Sequence, residues 1–438
     1  MSARRAQGGV GVDTATGGAA GEGTAAGPGG VAAARSDAAD ICIVGAGVIG
    51  TAIAYHLARR GVGRIVVCDQ GSVGEGMSGR SSALIRMHYT FRGEVELAVH
   101  SLEAFRAWPE VMGAVPVFRP VPFVRIVDPG ELDALRANVV MQRDCGAVVE
   151  LIDRDTLAGL APRWDLADVE LAAYEPNAGS GDGGQVAADF LARARDLGVV
   201  YRPGTRVLEL RRQGDRVVGV TTTSGPIEAP LVICATGVWS RSLLGAVGWD
   251  PPLETELHAV AIVRRAEADP PEHLSCIDSV THTYFRPDVR GTTLVGSFYG
   301  PRGADPDAFP QRAAESELAE LVAAASRRVP GLADAGIARS VTGVYDMTPD
   351  TRPLIGSVPT VSGCLVVAGF SGMGFKISPA VGQAVAELVG EGRATTVDLA
   401  PFRPERFAEG APIQPPHEYR DDLNSASRGG EAGTVPSS

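Results

Sequence analysis

Residues 39–70 read ADICIVGAGVIGTAIAYHLARRGVGRIVVCDQ, and the fold follows from how this run divides. The short apolar run ICIV predicts a buried strand, and RIVVCD predicts a second. Between them, from Ile49 to Arg60, the apolar residues Ile49, Ile53 and Leu57 recur at helical spacing. At the turn from strand to helix stand Gly45, Gly47 and Gly50, in the pattern G-x-G-x-x-G. The first glycine permits a tight turn. The second lets the backbone approach a pyrophosphate, and the third lets the helix pack closely on the strand. The helix N-terminus then offers free N–H groups and a partial positive charge to phosphates. Asp69 closes the second strand, about 20 residues on, placed to accept hydrogen bonds from ribose hydroxyls. This is a dinucleotide-binding opening. By itself it leaves NAD and FAD both open.

Three later stretches favour FAD. The first is GMSGRSSALIRMHY, Gly76–Tyr89. Its small residues and Arg80, with Gly79 and Ser81, suit the phosphates and ribityl chain of a long cofactor. The second is LVICATGVWS, Leu231–Ser240, a buried strand running into Ala235, Thr236 and Gly237 beside the adenosine half. Before it, GGQVAADFLARARDLGVVYRPGTRVLEL predicts a helix and then strand, returning the chain through Val207 to the cofactor. The third is CLVVAGFSGMGFKISPAVGQAVAELVG, again strand, glycine loop and helix, with Gly372, Gly374, Phe375 and Lys376 in the loop. Its helix is expected to start near Ser378-Pro379, proline being favourable there. That N-terminus would stabilise negative charge on a reduced flavin. An enzyme using NAD alone leaves these later stretches unexplained.

A chain of 438 residues exceeds one simple core and predicts two or three domains, or one woven into another. The net charge of -12, without a basic patch interleaved with aromatics, argues against a nucleic-acid partner. The six cysteines form no CxxC pair, and three fall in strand-like runs. They are read as reduced core thiols of a cytoplasmic protein, and no metal-ligand cluster is expected. No apolar run nears the ~20 residues of a membrane span. Residues 1–38 are Gly/Ala-rich and are expected to be disordered. Arg4-Arg5 lacks the apolar segment that would follow in a twin-arginine signal. Residues 409–438, rich in Pro, Ser and Gly, are expected to form a flexible tail. The intervening partition assigns 39–89, 178–248 and 340–408 to a discontinuous FAD-binding domain. It assigns 90–177 and 249–339 to a substrate domain. The fold class expected is α/β, α+β overall, with a Rossmann-like domain interleaved with one built on a large mixed or antiparallel sheet.

At these motifs the chain resembles the sarcosine oxidase, glycine oxidase and D-amino-acid oxidase family of flavoenzymes, from Ala39 to about Ala408. Within it, the sarcosine oxidase beta-subunit and dimethylglycine dehydrogenase branch is the most similar. The segment GEGMSGRSSALIRMHY resembles that branch's flavin loop. VYDMTPDTRPLIG followed by AGFSGMGFKIS resembles its C-terminal signature. The resemblance implies bound FAD and oxidation of a secondary or tertiary amine that also carries a carboxylate. It implies that Arg86 and Lys376 hold that carboxylate and that Tyr284 is the active-site tyrosine. Lys376 is the only lysine in the chain. Its compact head group on a flexible stem suits a small substrate beside a flavin better than arginine's planar fork.

Departures from the family are equally informative. Gly343 stands where some members carry a flavin-linking cysteine, MSGRSSA lacks the linking histidine of others, and Gly183 or a neighbour replaces the histidine of a second flavin. FAD is therefore expected to be non-covalent. Leu294 or Val295 stands where monomeric sarcosine oxidases use a lysine to speed reaction with oxygen. This leaves a slow oxidase, or a dehydrogenase passing electrons to a protein or quinone, as a lone enzyme, an oligomer or a subunit of a larger assembly. His88, Tyr89, His258, Arg286 and Tyr345 are further pocket candidates. On a strand His88 would share the face of Arg86. For Arg286 a surface position is favoured, and for Trp239 and Trp249 the core. No chemistry is assigned to RRAEADPPEH or to PRGADPDAFPQRAAESELAELVAAASRRVPG, the latter read as a loop and an amphipathic helix.

Overall fold

The computed structural model describes residues 37–265 and 273–420. The extension expected to be disordered lies outside the described residues, apart from Asp37–Ala38, a short strand paired in parallel with Gly225–Glu228. Most of RRAEADPPEH and the tail from 421 onward also lie outside them.

The opening run divides into the strand Ile41–Val44, the helix Val48–Arg60 and the strand Ile65–Cys68. Both strands belong to a six-stranded sheet. Its order is Val200–Arg202, Ile65–Cys68, Ile41–Val44, Leu231–Cys234, Cys364–Ala368, Leu354–Ser357. Neighbours are parallel except the last pair. A parallel sheet is covered on both faces, so its strands read as unbroken apolar runs. Ile41, Ile43, Ile233 and Val367 face the helices Val48–Arg60 and Gly374–Glu391, together with the helix Gly183–Asp196. Cys42, Val44, Val66 and Val232 face an antiparallel meander of Val207–Gln213, Arg216–Thr222 and Gly225–Glu228. Cys42, Cys68, Cys234 and Cys364 lie buried on this second face as free thiols.

The second sheet has eight strands in the order Gly336–Met347, Glu254–Arg264, Thr292–Ser297, Thr283–Pro287, Ser275–Asp278, Phe123–Ile126, Leu171–Glu175, Glu150–Asp153. It is mixed, because Ser275–Asp278 pairs in parallel with Phe123–Ile126 while the other pairs are antiparallel. One face carries Ala261, Phe285 and Val295 against the helix Glu315–Arg328. The opposite face carries Val260, Ile262, Tyr284 and Leu294, packed with Leu84 of the flavin loop. The helix Arg92–Arg106, within the stretch assigned to the substrate domain, packs instead on Gly374–Glu391.

Two local expectations are corrected. The last helix begins at Gly374, four residues before Ser378, and encloses Pro379. Proline there removes a backbone donor to the carbonyl of Phe375. The Ser378 hydroxyl donates to that carbonyl instead, at 2.9 Å, and Ser101 accepts from the Ala380 amide at 3.2 Å. Lys376 consequently sits in the first helical turn. The tail, expected to be loose from 409, is packed as far as Arg420. Tyr419 and Ile413 are buried, and Arg125 lies 4.9 Å from the Tyr419 ring centroid. Glu418 pairs with Arg352 at 2.6 Å. Composition missed this because a few anchoring side chains, not average apolarity, hold the segment.

Candidate active site

A cavity of about 980 Å³ opens at the carboxyl ends of the parallel strands. This is the upper end of the range for small-molecule and cofactor sites. Gly45, Gly47, Asp69, Arg80, Ser81, Val207, Ala235, Thr236, Gly237, Gly372, Gly374 and Phe375 all line it. Residues from three distant stretches of chain thus converge on one wall. Gly45 has φ +107° and abuts the Ala235 carbonyl, so a side chain fits neither the backbone nor the space. Gly50 does not reach the cavity. A Cβ there would strike the Gly45 carbonyl, so its role is to let the helix close on the turn. Gly79 likewise stands outside, its amide donating to the Gly74 carbonyl at 2.8 Å.

Asp69 faces the cavity and also braces it. One carboxylate oxygen accepts from the Ala46 amide at 2.6 Å and the other from the Gly71 amide at 2.8 Å. The Ser78 hydroxyl accepts from the Val48 amide at the helix N-terminus, at 2.9 Å. The wall therefore combines a glycine cradle, a helix N-terminus, hydroxyls of Ser78, Ser81, Thr205 and Thr236, and the cations Arg80 and Arg206. This donor set fits a dinucleotide with a pyrophosphate. Sequence reading missed Ser78, Thr205 and Arg206, although each neighbours a residue it named. It also missed Asp305, Asp307, Phe309 and Gln311, which come from the loop given no chemistry. Trp239, expected in the core, lines the cavity with its indole N–H on Asp307 at 2.8 Å.

Lys376, expected among the cofactor-binding residues, does not line the cavity although it follows Phe375, which does; with Arg86, Glu94 and Glu175 it makes a buried polar group. Lys376 is 9% exposed and makes no ion pair with a carboxylate among the described residues. Burial, and then the neighbouring charge of Arg86, hold its ammonium well below the usual lysine range. Arg86 is buried too, its guanidinium 4.3 Å from the Tyr89 ring centroid and donating to the His88 carbonyl. Two carboxyls stand nearby. Burial pushes Glu94 up to about 7 against the pull of Arg352, whose Nε is 3.4 Å away, and of Arg86. Burial also pushes Glu175 up to about 7, although its Oε2 accepts from the Met87 amide at 3.0 Å.

Tyr284 lies on the inner face of the eight-stranded sheet, opposite Gly296, where only a glycine leaves room for its ring. Its hydroxyl is hydrogen-bonded with Tyr345 and Ser82, and burial raises its pKa strongly. Leu294 shares this face while Val295 points away, so of the two residues left open by sequence Leu294 is on the side of Tyr284. His258 is buried, stacked on Tyr345 with centroids 3.9 Å apart, its Nε2 2.9 Å from Glu256. His88 departs from expectation. The strand ends at Ile85, so His88 does not share a strand face with Arg86. Its Nε2 meets the Tyr419 hydroxyl at 2.9 Å, making it a packed, hydrogen-bonded histidine. Arg286 is also corrected. It is buried, donating to the carbonyls of Ser82 and Pro287 and pairing with Asp288 at 3.1 Å.

Several known proteins are similar to this chain in sequence or in fold. The chain is 28% identical over 380 residues to 4-methylaminobutanoate oxidase (formaldehyde-forming) of Paenarthrobacter nicotinovorans, covering 82% of this chain but 45% of that protein. It is 26% identical over 379 residues to sarcosine oxidase subunit beta of an Arthrobacter species, covering 85% and 91%. Among solved structures, L-proline dehydrogenase from P. horikoshii superposes with a TM-score of 0.79 at 25% identity, over 86% of this chain and all of that one. Glycine oxidase from Geobacillus kaustophilus superposes with a TM-score of 0.73 at 25% identity, over 84% and 98%. The sequence matches the DAO family, described as FAD dependent oxidoreductase, over residues 40–388. With the glycine cradle and its converging walls in place, that match identifies the chain as a member of the DAO family of FAD-dependent oxidoreductases.

Proposed function

We propose that the chain oxidises the C–N bond of a secondary or tertiary amino acid, sarcosine-like, N-methylated or cyclic, whose carboxylate lies between Arg86 and Lys376. One observation carries this reading. Arg86 and Lys376 are both buried and act on each other by charge, the lysine directly following the cavity-lining Phe375, and the lysine makes no ion pair with a carboxylate among the described residues. Burial and Arg86 outweigh the attraction of Glu94 in disfavouring the ammonium, and a substrate carboxylate supplies the counter-charge that would restore it. FAD, held by the glycine cradle with Asp69, Arg80, Ser81 and Thr236, would supply the two-electron redox chemistry by which the C–N bond becomes an imine that water hydrolyses. The chain's own residues bind and orient. Arg86 and Lys376 fix the carboxylate, and Tyr284 with Tyr345 borders the amine side. Positive charge in the pocket lowers the pKa of the substrate amine, so it binds neutral without a dedicated base. FAD is held non-covalently in this reading, because Gly343 is on the wall and no histidine is, among the described residues.

The test is anaerobic mixing with a panel of N-methyl and cyclic amino acids, following the flavin band near ~450 nm. Bleaching by members of the panel is expected. A flavin untouched by every member overturns the proposal. Leu294 on the sheet face of Tyr284, where a lysine would promote reaction with oxygen, supports a second reading, a dehydrogenase or assembly subunit that passes electrons to a protein or quinone rather than rapidly to O2. Slow reoxidation in air with fast reoxidation by a dye acceptor, or a co-purifying partner needed for turnover, distinguishes it.

A further inference from the structure

The loop between the strand Thr292–Ser297 and the helix Glu315–Arg328 belongs by chain order to the eight-stranded sheet, and it is anchored there at both ends. The Gly303 amide donates to the Thr255 carbonyl at 2.8 Å, and the Thr255 hydroxyl to the Ala304 carbonyl at 2.7 Å. At the other end the Thr342 hydroxyl donates to the Pro310 carbonyl at 2.5 Å. Between these anchors its side chains cross to the dinucleotide half. Asp307 accepts from the Trp239 indole at 2.8 Å and lies 3.5 Å from Arg206. Gln311 accepts from Arg80 at 2.7 Å, and the same guanidinium lies 5.1 Å from the Phe309 ring centroid. Asp307, Phe309 and Gln311 themselves line the cavity.

We propose that residues 303–311 form a strap that retains FAD, with Asp307 clasping Trp239 and Arg206 and Gln311 clasping Arg80. The inference rests on the reading of the cavity as an FAD site. All three residues gripped by the strap face the cavity, on the turn after the second strand, the start of the meander and the ATG loop. Each clasp alone is a partly exposed polar contact of small equilibrium worth. Placed together across the wall of a cavity read as holding its cofactor without a covalent tether, their small contributions add, and the sum is expected to appear in the rate of escape. Changes in release rate are where most affinity differences arise. The strap also gives the roof sheet a mechanical connection to the cofactor half that is independent of the substrate pocket.

The experiment compares the FAD-loaded wild type with Asp307→Ala, Gln311→Ala and the double variant. After dilution, release is followed by the fluorescence that free flavin regains. Asp307 is half exposed and Gln311 exposed, so folding is not at stake, and a matching thermal melt of the apoproteins checks this. The double variant is expected to release FAD at least about tenfold faster, with an association rate close to wild type. Trypsin cleavage after Arg312 is expected to be slowed by FAD in the wild type and not in the double variant. A double variant that releases FAD within about twofold of the wild-type rate overturns the strap while leaving the FAD site standing. A wild type that takes up no FAD overturns both.

Discussion

Replacing Lys376 by Met separates binding from stability, because the two effects have opposite signs. The lysine is 9% exposed, beside Arg86, and lacks a carboxylate partner among the described residues. If its ammonium meets a ligand carboxylate in that desolvated setting, removing it costs ~2–5 kcal/mol of binding. That corresponds to a dissociation constant roughly 30- to several-thousand-fold weaker. Without ligand the same substitution replaces a buried amine, whose ionisation burial and Arg86 disfavour, with a flexible apolar chain of similar reach, so the protein is expected to hold or gain stability. The sign with pH is fixed as well. Burial lowers the folded pKa, so the unfolded chain binds more protons between that lowered value and ~10.4. Stability therefore rises with pH across that window, through this group, and the Met variant loses the rise. The assay is a titration of the bound flavin's spectrum with a non-oxidisable carboxylate, beside urea melts at several pH values. An unchanged dissociation constant, or a Met variant clearly less stable than wild type at neutral pH, refutes the reasoning.

Three further outcomes follow from the buried groups. Glu94→Gln removes a carboxyl pushed up to about 7. The folded state binds the extra proton, so stability through this group falls as pH rises from about 4.5 to 7. The variant should lose that slope and gain at most about 3 kcal/mol at pH 8, read from urea melts. Arg406→Met leaves Asp350 buried without its two-point partner, at 2.8 and 2.9 Å. A loss of ~3–5 kcal/mol is expected in the same assay. Gly45→Ala forces a side chain onto a φ of +107° against the Ala235 carbonyl. It is expected to cost more than ~1 kcal/mol and to abolish the stoichiometric flavin absorbance of the purified protein.

The dinucleotide half was legible in the sequence because its determinants are local. A glycine turn, helical spacing at Ile49, Ile53 and Leu57, and apolar strands such as ICIV and LVIC each constrain the backbone within a few residues. Their outcome is a parallel sheet with its loops at one end. The roles expected of Arg86, Tyr284 and Lys376 came from the resemblance, and that all three are buried is not legible locally, since nothing local distinguishes a buried polar side chain from an exposed one. Arg286 shows the limit. As an arginine it reads as exposed, yet it is buried, donating to the carbonyls of Ser82 and Pro287.

The sequence by itself determined the Rossmann-like opening, the recurrence of strand, glycine loop and helix near the end, and the single lysine. Those features depend on spacing and residue type along a continuous stretch. Only the tertiary structure decided that Leu294 rather than Val295 shares the sheet face of Tyr284 and that Trp239 lines the cavity. It also decided that a loop over 200 residues beyond the glycine turn closes on the dinucleotide wall, and that Tyr419 anchors the tail. Each depends on which surfaces meet across two sheets. That choice is made by burial and by long-range pairs such as Trp239 with Asp307 and His88 with Tyr419, which leave no periodic trace in the chain.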